Sequence, residues 1–195
     1  ETDAILHVLR CFDDDNIIHV DGSIDPIRDK ETIDIELQLK DLETADKKLE
    51  KVKRAARTGN KDAQKEETAL IKVKEGLEAG ISVRAIELTD SERDDFIDVV
   101  QFITDKPVMY VCNVDETSAV SGNKYVEKVK AAVANESAEV IFLAVGTESD
   151  INELEEYEER QMFLEDLGLE EAGSAKLIRG AYKLLDLQTY FTAGV

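Results

Sequence analysis

A cluster of polar residues follows an apolar segment near the middle of the chain. The segment spans residues 108–112, and Asn113, Val114, Asp115 and Glu116 come directly after it. An asparagine amide has two donors and one acceptor, so Asn113 can complement the N7 edge and a neighbouring exocyclic group of a purine. The same tetrad also suits an ordinary turn or helix start, where Asn is common. The surrounding elements decide between these two interpretations.

The tetrad stands where P-loop GTPases have Asn-Lys-x-Asp, the motif that contacts the nucleotide base. Val114 takes the place of the Lys, and Glu116 takes the place of the closing Asp. An Asp there accepts two hydrogen bonds from the N1 and N2 edge of guanine, whereas Glu116 is one methylene longer and need not lie in that plane. Adenine lacks those two donors. The substitution therefore predicts a site whose preference for GTP is lost or reversed.

Three apolar segments of strand length alternate with helical patterns. We expect strands at residues 4–12, 108–112 and 139–143, and the apolar composition of the first predicts a strand that is covered on both faces. Such alternation predicts an α/β fold with a parallel sheet in which the three strands are neighbours. Ligands of these sheets bind beyond the carboxyl ends of the strands. Asn113 and the bend Ala144-Val145-Gly146 would meet there.

Capping residues and apolar spacing place the helices that follow the strands. A Ser/Thr-x-x-Glu capping box begins at Thr89, and Ser149 is predicted to cap an acidic helix. The expected helices lie at about residues 89–102, 123–135, 149–167 and 174–185.

Two longer helical patterns lie between the first two predicted strands, at about residues 30–57 and 62–78. Apolar residues in the first recur at +3 and +4 spacing, as in a coiled-coil seam. The break at residues 58–60 predicts an antiparallel helical hairpin. Lys and Arg outnumber Asp and Glu between residues 40 and 74, although the whole chain has a net charge of −20.

The basic residues of the hairpin lie mostly off the seam, so they are predicted to face water. They form either an ordinary solvated helix surface or a nucleic-acid-binding surface. The rest of the chain is too acidic for a generally nucleic-acid-binding surface. The candidate nucleic-acid-binding residues are Lys47, Lys48, Lys51, Arg54 and Arg57.

Composition excludes several other classes of protein. The longest apolar runs are far shorter than the ~20 residues that a membrane span needs, and no leader-like segment opens the chain. Cys11 and Cys112 lie in apolar runs without Cys-x-x-Cys spacing, which indicates inert core thiols in a reducing compartment. We therefore expect no membrane partner and no disulfide framework.

No metal site is expected either. His7 and His19 are isolated, without the spacing of metal ligands. Asp13 and Asp15 begin a calcium-loop pattern, but Ile17 and the residue after it break that pattern. The acidic run is predicted to be a solvated loop.

Several segments of the chain resemble the YchF/Obg-like ATPase family. They are Val-Leu-Arg-Cys-Phe-Asp-Asp-Asp-Asn-Ile-Ile-His-Val at residues 8–20, Gly-Ser-Ile-Asp-Pro at 22–26, Lys-Pro at 106–107 with the tetrad at 113–116, and Leu-Gln-Thr-Tyr-Phe-Thr-Ala-Gly at 187–194. The segments occur in the family's order, with a helical hairpin at the family's place. The resemblance covers essentially the whole chain.

The resemblance implies an α/β fold: a partial parallel-sheet P-loop NTPase domain with an inserted antiparallel coiled-coil hairpin. The nucleotide domain would comprise residues 1–29 and 81–187, the insertion residues 30–80, and a linker to a TGS-like domain residues 188–195. Family members are cytoplasmic ATPases with weaker GTP use, and they are associated with ribosomes and translation. ATP, or GTP, with magnesium is the implied cofactor.

By the same resemblance, Asn113 and Val114 would contact the adenine, beside Glu116. Ala144, Val145 and Gly146 would stand where related GTPases have Ser-Ala-Lys, so that this wall of the site acts through backbone and apolar contact.

The sequence contains no Gly-x-x-x-x-Gly-Lys-Ser/Thr, and no Asp-x-x-Gly precedes the first predicted strand. In the family both motifs lie ahead of this chain's first residue, so we expect a fragment cut at both ends. Because phosphoryl transfer depends on groups around the phosphates, no catalytic residue is assigned here. The chain alone is predicted not to hydrolyse ATP.

Two other interpretations remain open at this point. In the first, the chain is an RNA- or ribosome-binding module that acts through the basic hairpin, with the nucleotide only as a switch. In the second, the hairpin is a purely structural, dimerising coiled coil.

Overall fold

The computed structural model describes residues 2–14, 16–17 and 22–193. Three parallel strands, β1 (Ile5–Arg10), β2 (Val108–Asn113) and β3 (Glu139–Leu143), form one sheet in the order β1-β2-β3. The α/β class, the three strands and their parallel order are confirmed. Asp15 and His19, considered above as metal ligands, lie outside the described residues.

The end of the sheet is where the polar segments meet. Arg10 pairs with Asn113, and Asn113 pairs with Leu143 on the other side. Since all three strands run the same way, their carboxyl ends lie side by side, and the loops that follow them share one edge.

The sheet is covered differently on its two faces. One face packs against α4 (Lys124–Ala132), whose cap Asn123 accepts hydrogen bonds from the backbone N–H groups of Tyr125 and Val126. On the other face, α7 (Gly173–Leu184) packs against β2 and β3. Neither helix covers all of β1.

The expectation that β1 is covered on both faces is not met by the described residues. Leu9 is buried, whereas Leu6 and Val8 are 43% and 61% exposed. These two side chains alternate with the buried ones along the strand, so they belong to one face of it. No described element of this chain packs over that face of β1.

Two cysteines lie in the core beside the site. Cys11 and Cys112 are both completely buried, and their thiols are hydrogen-bonded to each other. This hydrogen bond and burial raise the pKa of Cys11, which keeps it in the thiol form. The prediction of reduced core thiols fits this environment.

The segment after β3 differs from the sequence prediction. A single helix from Ser149 to about residue 167 was expected, but α5 (Val145–Glu153) and α6 (Tyr157–Asp166) are separate helices. α5 begins directly where β3 ends, and Ser149 lies inside it rather than capping it. The break falls at residues 154–156, where Leu154 and Glu156 adopt extended backbone.

Residues 31–106 form a second compact unit, which includes most of α1 (Pro26–Ala56) and all of α2 (Lys61–Glu78). Close to the turn, the Gln64 side chain donates to the carbonyl of Ala56 at 3.3 Å. At the other end, Gln38 donates to the carbonyl of Gly80 at 3.1 Å. The start of α2 therefore lies beside the end of α1, and the end of α2 lies beside an earlier part of α1. The two helices are antiparallel.

The two helices share one apolar core. It contains alanine, leucine and valine side chains from the +3/+4 stripes of both helices. The most buried side chains that the two helices contribute are Ala45, Leu49, Ala69, Leu70 and Val73.

Residues 81–106 belong to the same unit, although the sequence prediction grouped residues 81–187 with the sheet. Asp41 of α1 is 1% exposed, and its carboxylate accepts hydrogen bonds from the backbone N–H groups of Ile103 (2.8 Å) and Thr104 (2.7 Å). A carboxylate with two such partners is well satisfied in the interior. This contact ties the chain just before β2 to α1.

The capping box at Thr89 is present, but the helix after it is irregular. The short α3 (Asp90–Glu92) continues as a π-helical turn through Ile97 and a 3-10 turn through Val100. It ends at Gln101, whose φ of 61° is left-handed. The expected regular helix over residues 89–102 is therefore wrong in its geometry.

None of the described helices combines the length and the apolar composition that a membrane span requires.

Candidate functional site

The tetrad and the bend after β3 come together at the carboxyl edge of the sheet. The backbone N–H of Val145 donates to the Oδ1 atom of Asn113 at 3.1 Å. Val145 is the first residue of α5, and Ala144 at the N-cap has no side-chain acceptor. Asn113 therefore caps α5 from the neighbouring strand, which supplies one of the acceptors that a helix start needs.

This hydrogen bond fixes which way the amide of Asn113 points. Because the Val145 N–H is a donor, the oxygen must face it, and the Nδ2 donors are turned elsewhere. Among the described residues, Nδ2 has no acceptor. A Cβ at Gly146 would meet no atom within 4 Å, so the space beside the start of α5 is open. The edge thus presents an amide donor that is unused among the described residues, and an open space beside Gly146.

Val114 has a different environment from its neighbours. Its side chain is 3% exposed and packs in the core cluster under α4. Its backbone N–H donates to the carbonyl of Leu143 at 3.0 Å, which ties β2 to β3 again. Only the remaining backbone of Val114 is left for a ligand contact.

The two acidic residues of the tetrad also have separate roles. The Asp115 carboxylate caps the turn that follows, accepting from the Ser118 backbone N–H at 3.0 Å and from the hydroxyls of Thr117 and Ser118. The Thr117 hydroxyl, with Ser118, lowers the pKa of Asp115. Glu116 is exposed, and its carboxylate has no partner among the described residues. Glu116 is thus the side chain of the tetrad that is free to turn toward a ligand or away from it.

Ala144, Val145 and Gly146 are the residues predicted to form the other wall of the site. Ala144 is buried, while Val145 is 47% exposed at the first position of α5. None of the three offers a polar side chain, so this wall can contribute only backbone and apolar contact. The structure brings these residues together with Asn113, and Ala144 is buried in the same core cluster as the side chain of Val114.

One residue of the edge was missed by the sequence interpretation. Glu148, on α5, accepts hydrogen bonds from the backbone N–H groups of Gly173 (2.5 Å) and Ser174 (2.9 Å) at the start of α7. The N-cap residue of α7 is Ala172, which has no side-chain acceptor. The sequence analysis began this helix at about residue 174, so it gave no signal that a distant carboxylate caps α7.

The five basic residues proposed for nucleic-acid contact fall into two groups. Lys47, Lys51 and Arg54 recur at +4 and +3 spacing on α1, are exposed and have no carboxylate partner among the described residues. Arg57 is likewise exposed and unpaired in the described part of the chain, just past the end of α1. Lys48 forms an ion pair with Glu66 of α2 at 3.0 Å. We call Lys47, Lys51 and Arg54 the basic stripe.

No protein-family model matches the chain. It is 47% identical over 196 residues to the ribosome-binding ATPase YchF of Bacillus subtilis (strain 168), a match that covers 100% of this chain and 53% of the relative. It is 45% identical to the ribosome-binding ATPase YchF of Escherichia coli O157:H7, again over 100% of this chain and 53% of the relative. Obg-like ATPase 1 of Caenorhabditis elegans is 34% identical, over 98% of this chain and 49% of that protein.

Among solved structures, the chain is similar to that of the Schizosaccharomyces pombe YchF GTPase. The TM-score is 0.84 at 32% sequence identity, and the match covers 98% of this chain and 52% of that one. The chain therefore spans about half the length of the relatives that it matches.

Proposed function

We propose that the chain, as a member of the YchF/Obg-like ATPase family, forms the base-binding part of a P-loop NTPase. The full-length protein would hydrolyse ATP and bind ribosomes. The hydrogen bond between Asn113 Oδ1 and the Val145 N–H is the observation that supports this most directly. It joins the tetrad to the bend after β3 and leaves the Nδ2 donors of Asn113 without an acceptor among the described residues.

In this proposal the Nδ2 donor of Asn113 binds N7 of the purine. N7 is an acceptor in adenine and in guanine, so this contact selects purines without choosing between them. The choice would depend on the position of Glu116. A carboxylate held in the plane of the base favours guanine, because it accepts hydrogen bonds from N1 and N2. The longer Glu116 side chain, which has no partner among the described residues, would not hold its carboxylate in that plane. Ala144, Val145 and Gly146 complete the slot through backbone and apolar contact.

The phosphates and magnesium would be held by groups outside this chain. No cluster of three or more His, Cys, Asp or Glu residues in the described ranges can hold a metal ion. The unused amide donor of Asn113 has the chemistry to bind a purine, so the cofactor we propose for the full-length protein is ATP, or GTP, with magnesium. The chain's own contribution is to bind and orient the base.

The remaining assignments follow the same family. Residues 30–80 are proposed as a coiled-coil insertion, residues 1–29 and 81–187 as part of the nucleotide domain, and residues 188–195 as the linker to a TGS-like domain. The full-length protein is proposed to be cytoplasmic.

The experiment that tests the base site is the substitution Glu116→Asp in the full-length protein. Shortening the side chain should bring a carboxylate toward the N1 and N2 edge of guanine. We expect the ratio of ATP to GTP affinity to shift toward GTP by about tenfold, the value of one or two hydrogen bonds. Titration calorimetry with each nucleotide measures it, and Glu153→Asp on the exposed side of α5 is the matched control.

An unchanged ratio in Glu116→Asp would show that the tetrad does not read the base. Adding Val114→Lys, which completes the Asn-Lys-x-Asp pattern, is a weaker design here. It places an ammonium at a core position that is 3% exposed, so lost stability would obscure the change in selectivity.

We further propose that the basic stripe is a ribosome contact, made to the phosphates of RNA. The support is that its three cations lie on one surface of α1 without carboxylate partners in the described chain, whereas Lys48 is neutralised by Glu66. An RNA-binding module that only senses nucleotide is the less favoured alternative, because the relatives are named ATPases as well as ribosome-binding proteins.

A further inference from the structure

The start of α5 is held by two side chains that do not belong to its own cap. At its first residue, the Val145 N–H is bound by Asn113 of β2. One turn later, the Glu148 carboxylate accepts the N–H groups of Gly173 and Ser174. The direction of α5 is therefore set from both sides: by the strand that carries the proposed base-binding amide, and by the helix α7.

The contact of Glu148 with α7 is strong for its size. A carboxylate that accepts two backbone N–H groups makes charge-assisted hydrogen bonds, which are shorter and stronger than neutral ones. It also places a negative charge at the N-terminus of α7, where the helix dipole favours an anion. Glu148 thus supplies what Ala172 cannot.

The space around this contact is tight. A Cβ at Gly173 would lie 2.7 Å from the Cβ of Leu143 and 2.9 Å from Oε1 of Glu148. Leu143 is the residue paired with Asn113 in the sheet. The loop before α7, α5 and the end of β3 therefore meet around Gly173, where there is no room for a larger residue.

From this geometry we infer that Glu148 is a positioning residue for the base site. By holding α5 against α7, it keeps the Val145 N–H directed at Asn113 Oδ1, and so keeps the Nδ2 donor turned toward the ligand. This inference rests on the proposed function, since it assigns a second role at the same site. Without Glu148 the start of α5 is held from one side only, and the amide of Asn113 loses its fixed orientation.

The test compares ATP with 7-deaza-ATP, which has a C–H in place of N7, on the full-length protein. If Asn113 donates to N7, the wild-type protein binds ATP roughly fivefold more tightly than 7-deaza-ATP, the value of one hydrogen bond. Glu148→Gln should bring this ratio toward one while the protein remains folded by circular dichroism. Glu153→Gln, which removes an exposed charge from the same helix, should leave the ratio unchanged.

Gly173→Ala is the second variant. It disturbs the same contact from the α7 side without removing a charge, so it should also flatten the ratio, and it decides the question if Glu148→Gln does not fold. A purely structural role of Glu148 would lower the melting temperature of the variants without changing the ratio.

The possible failures are separable. A wild-type ratio near one, or a ratio that survives in Asn113→Ala, would overturn the base site itself. If Asn113→Ala flattens the ratio but folded Glu148→Gln and Gly173→Ala retain it, the base site stands and the positioning role of Glu148 is overturned.

Discussion

The carboxyl edge of the sheet and the basic stripe of α1 would recognise their ligands by opposite physical means. At the edge, one amide is oriented by a backbone hydrogen bond, with Val114 buried beside it and the Asp115 carboxylate satisfied as a cap. On the stripe, three cations are exposed without partners in the described chain. An oriented donor distinguishes one heteroatom from another, whereas exposed charge attracts any phosphate chain. The edge is thus suited to selectivity and the stripe to affinity.

The largest expected effect is that of salt and charge on the stripe. If all three cations neutralise phosphates, affinity for ribosomal RNA falls about 40-fold between 50 and 200 mM salt. The triple substitution Lys47→Glu, Lys51→Glu and Arg54→Glu should lower RNA affinity at 50 mM salt by about 40-fold or more. The affinity of the variant should also depend less steeply on salt. Filter binding of the full-length protein measures both.

Lys40→Glu is the control for that experiment, because Lys40 lies on the same helix and already pairs with Glu43 at 3.1 Å. It should change RNA affinity much less than the triple variant. Equal losses, or an ATP affinity that falls together with RNA affinity in the triple variant, would contradict the separation of the two surfaces.

The next effect isolates the donor of Asn113 from its capping role. In Asn113→Asp the side chain can still accept the Val145 N–H, but it has no donor and brings a negative charge toward N7. We expect ATP affinity to fall about tenfold with little change in the melting temperature. Calorimetry with ATP and thermal unfolding of the full-length protein measure the two quantities. A lower melting temperature with unchanged ATP affinity would assign Asn113 to capping alone.

A smaller effect is expected at Thr147, whose buried Oγ1 has no hydrogen-bond partner among the described residues. Thr147 is 5% exposed and lies between Gly146 and Glu148. Thr147→Val removes this unsatisfied hydroxyl at nearly constant shape, so the free energy of unfolding should rise by about 1 kcal/mol. Urea unfolding measures it, and a destabilised variant would indicate that a bound water satisfies the hydroxyl.

The smallest expected effect is on the pH dependence of stability, through Glu92 in the unit that contains the hairpin. The Lys72 ammonium, at 2.6 Å, and the hydrogen bonds from Thr89 hold the pKa of Glu92 below its ordinary value of 4.5. A carboxylate whose pKa is depressed in the folded state adds stability above its ordinary pKa. That stability is lost as the pH falls through the folded-state pKa.

Glu92→Gln should therefore lower the melting temperature at pH 7 and have a diminishing effect below about pH 4.5. Thermal unfolding at several pH values measures this. A difference that stays constant into acid would assign the loss to the capping geometry instead of the charge.

Local sequence patterns predicted most of the fold. Apolar runs gave the three strands, and the +3/+4 spacing gave α1 and α2, because both signals reside within a few residues. The pattern failed where the cap is not local: α5 begins at Val145 because Asn113, 32 residues earlier, accepts its first N–H. A search for a capping side chain near the helix finds Ser149 instead.

The candidate site was predictable in its place but not in the roles of its residues. The parallel order of the strands was enough to bring Asn113 and Gly146 to one edge. The sequence could not say that Val114 turns into the core and Asp115 into a cap, because both depend on the packing of α4 and of the turn after β2. The hydrogen bond from the Gly173 N–H to the Glu148 carboxylate joins residues 25 apart, and no local sequence motif indicates it.

The thiols of Cys11 and Cys112 allow the opening rate of the sheet to be measured. Both are completely buried, on adjacent chain segments next to Asn113. A thiol-reactive dye can label them only in molecules whose strands have separated, since neither side chain has exposed surface in the folded state. The labelling rate without nucleotide would therefore report how often this edge of the sheet opens. The decrease in that rate with nucleotide would report how much a bound base stabilises the closed edge.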